Sequence, residues 1–508
     1  MSDSISATIQ PARTSTAATV QRVAVNMMSL LTSDVMNKAA TFVVYMLVAR
    51  FCGARAFGQL SLGLMLLYTF QVFASAGLPT LITREVAKQP AQSARYFVNA
   101  SALTLLAFLI ALAGLAGFVQ VSRYPVDTGV IILLLGLGIL PWSLSAVSEA
   151  VLRAWERMHV IALASVPANL FKIGGSYWLL ARGYGVAAVA VIFLACQTAT
   201  LLIQWLFILG HIRREDAVLD RSFCRDLLYG TWKFLGIDSL IALWGCITTV
   251  VLSWFSGEAA VGLFGAAWQL LIPVRLTLQA IVSSLFPMMC RRAEESPLRL
   301  RQITEWMLEI LAFVTVPSCI LLYFAAEPII ALAYGGRDFE GSVLVMRIIL
   351  PVLLLQMVTS TLGQVLYSRR RERVTLWIVA IVVAFNLVAA VALTYAFDLV
   401  GAAVSVLLTW IVNGWLHVIA TRGCFTDETG GRLRWGAALV GPIAVAAGIV
   451  AVGQALSGEA HVVVTSLAAS VFYVAAWAAV VFASCRRRGG ISQRFLVPLR
   501  ESESKAAA

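Results

Sequence analysis

The sequence predicts an all-α polytopic membrane protein with fourteen transmembrane helices. These form two pseudo-symmetric six-helix lobes followed by two C-terminal helices. Three observations lead there: an apolar excess, the number of bilayer-length runs, and the alternation of charge between successive loops. Of the 508 residues, 60% are hydrophobic and only 13% are charged, and the mean hydropathy is +0.87. A soluble chain carries about twice that share of charge, so the surplus apolar surface must face lipid. The net charge of +12 is what Lys- and Arg-rich cytoplasmic loops produce in a membrane protein, and no nucleic-acid partner is expected.

A helix needs about 20 apolar residues to cross a bilayer. Such runs lie at roughly 23–50, 56–78, 95–121, 128–152, 157–181, 184–209, 229–254, 259–285, 303–325, 341–367, 374–396, 399–421, 434–456 and 461–484. The breaks are weakest at Arg182-Gly183 and Phe397-Asp398. Residues 1–22 are Ser/Thr/Ala-rich without an apolar signal core, and read as a disordered cytoplasmic tail rather than a cleavable signal peptide. Spans 1–6 (23–209) form the N-lobe, and the long loop 210–228 is a cytoplasmic linker. Spans 7–12 (229–422) form the C-lobe, 434–484 holds spans 13 and 14, and 485–508 is a cytoplasmic tail.

The charges test this count independently. With both termini in the cytoplasm, the inner loops include "TREVAKQPAQSAR" (83–95), "RAWER" (153–157), "RRAEESPLRLR" (291–301) and "RRRER" (369–373). The outer loops are short, such as "CGAR", "SRYPVD" and "SGEA". About 28 of the Lys and Arg then fall inside and about 5 outside, the bias of the positive-inside rule. One missed span would invert every later loop. The eight cysteines form no CxxC pair, and only Cys52 lies near the outer face, so no disulfide framework is expected.

The two lobes repeat. "FCGARAFGQLSLGLMLL" from Phe51 aligns with "FSGEAAVGLFGAAWQLL" from Phe255, an offset of 204 positions that pairs Gly53 with Gly257. The same offset carries Asp34 onto Asp238, two of only ten Asp in the chain, and Gln71 onto Arg275. Further on, Asn169 pairs with Asn386 and, after a one-residue slip, Gly185 with Gly401. Repeats of equal orientation imply lobes related by an axis along the membrane normal.

These residues also carry a resemblance. "FGQLSLGLMLLYTFQVFASAGLPTLITREVAK" (57–88), "RMHVIALASVPANLFKIGGSYWLLARGYG" (157–185) and "RRRERVTLWIVAIVVAFNLVAAVALTYAFDLVGAA" (369–403) resemble the polysaccharide transporters, the Wzx-type flippases of lipid-linked oligosaccharide. That family belongs to the MOP superfamily, with the MATE multidrug exporters and the lipid II flippases. The resemblance implies a MATE-like plan, alternating access through a central cavity, and a location in the bacterial inner membrane. It implies an undecaprenyl-diphosphate-linked repeat unit as cargo, moved from the cytoplasmic to the periplasmic leaflet for exopolysaccharide, O-antigen or capsule biosynthesis. The glycan polymerase and chain-length proteins of the same pathway are the implied partners, and a monomer is expected.

A charge at a helix centre costs roughly 2.5–3.5 kcal/mol and usually faces a bundle interior or a wet cavity. Asp34 and Lys38 are four residues apart in the first span, so they share a helix face. They read either as an intrahelical ion pair or as a cavity pair in which Lys38 grips a diphosphate. Asp34 and Asp238 lie at matched depth and are the candidate coupling or counter-ion groups. Lys172 either pairs with Asp34 or Glu149 or lines the cavity. Arg275 suits bidentate phosphate contact, whereas Arg347 lies near the outer end of its span and could equally snorkel. Lys233 reads as snorkelling and Glu149 as the partner of Arg153. Pro141 and Pro273 are hinge or static-kink positions. Lys38, Lys172, Arg275 and Arg347 outnumber the two Asp, and a cationic lumen suits an anionic cargo.

No GxxxxGK[ST], DxD or HExxH stretch is present, and the four His (159, 211, 417, 461) have no metal spacing. No metal or cofactor is expected and no enzymatic activity. Energy would come from an H+ or Na+ gradient, the membrane potential or the cargo gradient. The competing readings are an ion-coupled MATE-like multidrug exporter, whose lumen would be acidic, and a membrane polymerase or ligase, which would need a large outer loop.

Overall fold

The computed structural model describes residues 16–75, 77–212, 218–335 and 337–425. They are almost entirely helical: α1 Thr16–Ser75, α2 Leu78–Lys88, α3 Ser93–Ser122, α4 Val126–Leu137, α5 Ile139–Ala154, α6 Met158–Ala181 and α7 Val186–Leu209. Then follow α8 Arg221–Glu295, α9 Pro297–Phe324, α10 Ala326–Tyr334, α11 Gly341–Ile349, α12 Pro351–Ser368 and α13 Glu372–Thr421. Among the described residues, eight helical stretches are long and apolar enough to cross a membrane. The expected spans 13 and 14 (434–484) and the tail 485–508 lie outside the described residues, as does most of 1–22. The chain divides into two compact units, Met1–Cys246 and Ile247–Ala508.

Three of the eight stretches run 51, 58 and 53 residues. An unbroken helix of 51 residues would be about 76 Å long, more than twice the ~30 Å core of a bilayer. Each of the three is broken once. In α1 the break is Gly53 (φ 79°, ψ −173°), and in α8 it is Gly257 (φ 77°, ψ −177°). This corner of dihedral space is open essentially to glycine alone. The two breaks are 204 positions apart, the offset of the sequence repeat, and have the same geometry. The four-residue loops "CGAR" and "SGEA" are therefore single-residue kinks. In α13 the break falls at Phe397 and Asp398 (φ 48°, ψ −128°), and Asp398 accepts a hydrogen bond from Ser256 Oγ at 3.1 Å.

Other expected segments are subdivided. The first six residues of the expected loop 83–95 belong to the helix α2 and the last three open α3; α2 buries Leu78, Leu81, Ile82 and Val86. This spacing marks one face of a short amphipathic helix, too short to register as a span. That face packs on Phe97, Val147, Val151, Ile161 and Ile208. The expected span 128–152 is two helices, α4 and α5, parted at Gly138. Pro141 has no N–H to return to Leu137, which weakens the ladder at that break. No non-helical dihedral accompanies Pro273 in α8, where the one break is Gly257.

Candidate functional site

In the first unit, faces of α1, α4, α5, α6 and α7 enclose a cavity of about 220 Å³. From α1 come Leu30, Ser33, Asp34, Asn37 and Thr41, and from α6 come Ile161, Ser165, Ala168, Asn169 and Lys172. Both sets recur at three- and four-residue steps, so each is one stripe of a helix. Ser33 and Ser165 join these two walls through a 2.6 Å hydroxyl contact. Tyr68 and Trp142 add an aromatic wall, edge to face at 5.0 Å.

Lys172 is the centre of the site. It is 5% exposed. Its Nζ donates to Asn37 Oδ1 at 3.1 Å and to Thr41 Oγ1 at 3.3 Å, and lies 5.0 Å from the centroid of the Phe193 ring. Thr41 Oγ1 in turn donates to Asn37 O at 2.9 Å. All of these partners are neutral. Among the described residues no carboxylate forms an ion pair with Lys172, so its charge is solvated by the site but not cancelled. The pairing with Asp34 or Glu149 left open by the sequence is not made: Glu149 pairs instead with Arg153 at 2.8 Å, as its spacing implies.

Asp34 lines this cavity and Lys38 does not, and the two form no ion pair. Helix geometry explains the separation. At about 100° per residue, the α1 lining residues centre roughly 45° to one side of Asp34, and Lys38 falls about 40° to the other. Asp238, the repeat partner of Asp34, is exposed on α8.

The second unit presents a comparable cation. Arg275 on α8 donates from Nε to Gln356 Oε1 at 2.8 Å, and its guanidinium carbon sits 4.6 Å from the Trp268 ring centroid. A neutral amide and an aromatic face again hold the charge, and no ion pair is made with a described carboxylate. Arg347 differs: it pairs with Glu327 at 3.3 Å and lies over the Tyr323 ring at 5.4 Å. Sequence reasoning singled out the charged members and missed Asn37, Thr41, Tyr68, Trp142 and Phe193. The α1 stripe 30/33/34/37/41 was the signal that could have found the first two. Among the described residues no cluster of His, Cys, Asp or Glu could hold a metal.

The model of the polysaccharide biosynthesis protein family matches residues 23–293. A probable low-salt glycan biosynthesis flippase of Haloferax volcanii is 21% identical over 391 residues, covering 76% of this chain and 81% of that one. Two solved structures share the fold. The lipid II flippase MurJ, in an inward closed conformation, superposes with a TM-score of 0.71 at 13% identity, over 91% of this chain and 99% of that one. An inward-facing multidrug resistance MATE transporter of the MOP superfamily gives 0.64 at 14% identity, over 80% and 98%. With more than half of its length matched by the family model, this chain belongs to the polysaccharide biosynthesis protein family.

Proposed function

We propose that this protein is a flippase of glycan biosynthesis. It moves an undecaprenyl-diphosphate-linked oligosaccharide from the cytoplasmic to the outer leaflet of a bacterial inner membrane by alternating access. Family membership, the glycan flippase relative and the MurJ-like fold support the class. The observation that carries the cargo reading is Lys172: a cation buried at membrane depth whose partners are neutral oxygens and an aromatic face. Burying a charge without a counter-charge is costly, and an anionic ligand would supply the missing charge. Arg275, held by Gln356 and Trp268, fits the same role in the second unit. Arg347 already has Glu327 and is the weaker candidate.

In this reading the three long broken helices each cross twice, so the eight stretches make eleven crossings, and α6, 24 residues long, makes a twelfth. With spans 13 and 14 the chain makes fourteen crossings and keeps both termini in the cytoplasm. Asp34 and Asp238 are the candidate groups for coupling to H+ or Na+. The protein works as a monomer beside the polymerase and chain-length proteins of its pathway. The test is complementation of a flippase-deficient strain, scoring surface glycan. Wild type should restore it, and Lys172→Ala and Arg275→Ala, expressed at wild-type levels, should not. Failure of wild type, together with protection of cells from cationic drugs, would favour the MATE-like exporter instead.

A further inference from the structure

A second and larger depression of the first unit, about 710 Å³, contains none of the residues discussed so far as cavity cations. It lies where helix ends meet: the start of α3 at Ser93, the end of α5 at Ala154, Arg157 just before α6, and His211 and Ile212 just after α7. These are span termini rather than span centres, on the face that also carries Arg84, Lys88, Arg95 and Arg153.

The charges on this face are unequal. Arg84 and Lys88 pair with Glu85 at 2.7 and 3.2 Å. Arg95 pairs with Asp220 at 2.6 Å, and Arg153 with Glu149 at 2.8 Å. The Arg157 side chain has neither an ion pair nor a hydrogen bond with any described residue, its backbone alone bonding Leu152 O and Val160 N. Its guanidinium lies over the Phe207 ring at 5.3 Å. That ring also stacks with His211 at 4.4 Å, whose Nδ1 donates to Phe207 O at 2.7 Å. Trp155 closes another side, with its Nε1 donating to Ser93 Oγ at 2.9 Å. Glu156 also lines the groove and has a partner of its own.

This is a guanidinium set on an aromatic ring, its donors unused among the described residues. The planar fork matches phosphate oxygens. Arg157 is also the N-cap residue of α6, and no side chain caps that helix; Val160 N–H already bonds Arg157 O at 3.2 Å, which leaves the N–H groups at the very start of the first turn for the same acceptor. Trp beside a cation at a span terminus is the composition of a headgroup layer. We infer that this groove binds the phosphate headgroup of a membrane lipid, with Arg157 as the phosphate contact. A lipid diphosphate and an anionic phospholipid share that chemistry. The inference goes beyond the cargo reading and does not depend on it, since a phospholipid would satisfy the site equally well.

The test is native mass spectrometry of the detergent-solubilised full-length protein. It would be titrated separately with dioleoylphosphatidylglycerol, undecaprenyl diphosphate and the phosphate-free lipid dioleoylglycerol. Arg157→Ala should weaken binding of at least one phosphate lipid by about fivefold or more and leave dioleoylglycerol unchanged. Arg157→Lys, which keeps the charge but not the fork, should fall between. Loss confined to undecaprenyl diphosphate assigns the groove to the substrate lipid, and loss confined to phosphatidylglycerol assigns it to a resident phospholipid. If Arg157→Ala does not fold, Arg157→Gln is read by the same threshold. Unchanged binding of both phosphate lipids in a folded variant overturns the site, as does an equal loss in Arg84→Ala.

Discussion

Replacing Lys172 by Met tests whether the cavity cation exists for a ligand or for the fold. Met keeps the length and apolar stem of the side chain and removes the charge. The change lifts an insertion cost of roughly 2.5–3.5 kcal/mol for a central Lys. It forfeits the two bonds to Asn37 and Thr41, each about 0.6 kcal/mol in a membrane. It also forfeits the contact with Phe193, about 2 kcal/mol for a desolvated pair. These terms nearly cancel. Lys172→Met should therefore melt close to the wild-type temperature in a size-exclusion thermal assay while losing at least tenfold in translocation. Asn37→Asp is the companion: a carboxylate would stand 3.1 Å from Nζ, where the amide oxygen is now. It should stabilise the fold and also abolish transport, by supplying internally the counter-charge meant for the ligand. A Lys172→Met protein that melts several degrees low yet translocates normally would refute the reasoning and make Lys172 a packing residue.

Gly53→Ala and Gly257→Ala should each cost about 1–3 kcal/mol, because alanine must leave the glycine-only corner that both breaks occupy; paired unfolding titrations should give similar losses if the repeat is real. Arg275→Lys retains the charge but loses the Nε bond to Gln356, so translocation should fall well below wild type with normal expression. Asp220 accepts hydrogen bonds from Ser222 and an ion pair from Arg95, which together hold its carboxyl well below the usual carboxylate range. A depressed folded-state pKa contributes stability that is present above the unfolded value, about 3.9, and is lost as pH falls through the folded one. The melting-temperature gap between wild type and Asp220→Asn should thus be constant from pH 8 to 5 and shrink below about pH 4.

Much of the architecture was legible because it rests on one-dimensional quantities. The apolar runs and the offset of 204 were visible in the letters, and the matched breaks at Gly53 and Gly257 give that offset a physical meaning. What was not legible depended on angle or on distant neighbours. Asp34 and Lys38 share a face at four residues' spacing, yet the cavity lies to one side of Asp34, and only the packing of α6 and α7 on α1 decides which side. The cradle of Lys172 combines residues 37, 41 and 193, whose polar or aromatic character is ordinary in a membrane helix. Arg347 looked like a lumen cation until the chain returned Glu327 to it across 20 residues. The amphipathic face of α2 was overlooked because a search for spans discards helices of 11 residues.

The central claim is transport, and the most direct measurement is leaflet translocation in proteoliposomes. Purified full-length protein would be reconstituted with a labelled undecaprenyl-diphosphate-linked oligosaccharide, and outer-leaflet label would be removed enzymatically over time. The account expects wild type to make the inner-leaflet pool accessible at a rate well above protein-free vesicles, and Lys172→Met to match those vesicles. Equal rates for wild type and empty vesicles, with the protein shown to be folded, would contradict it.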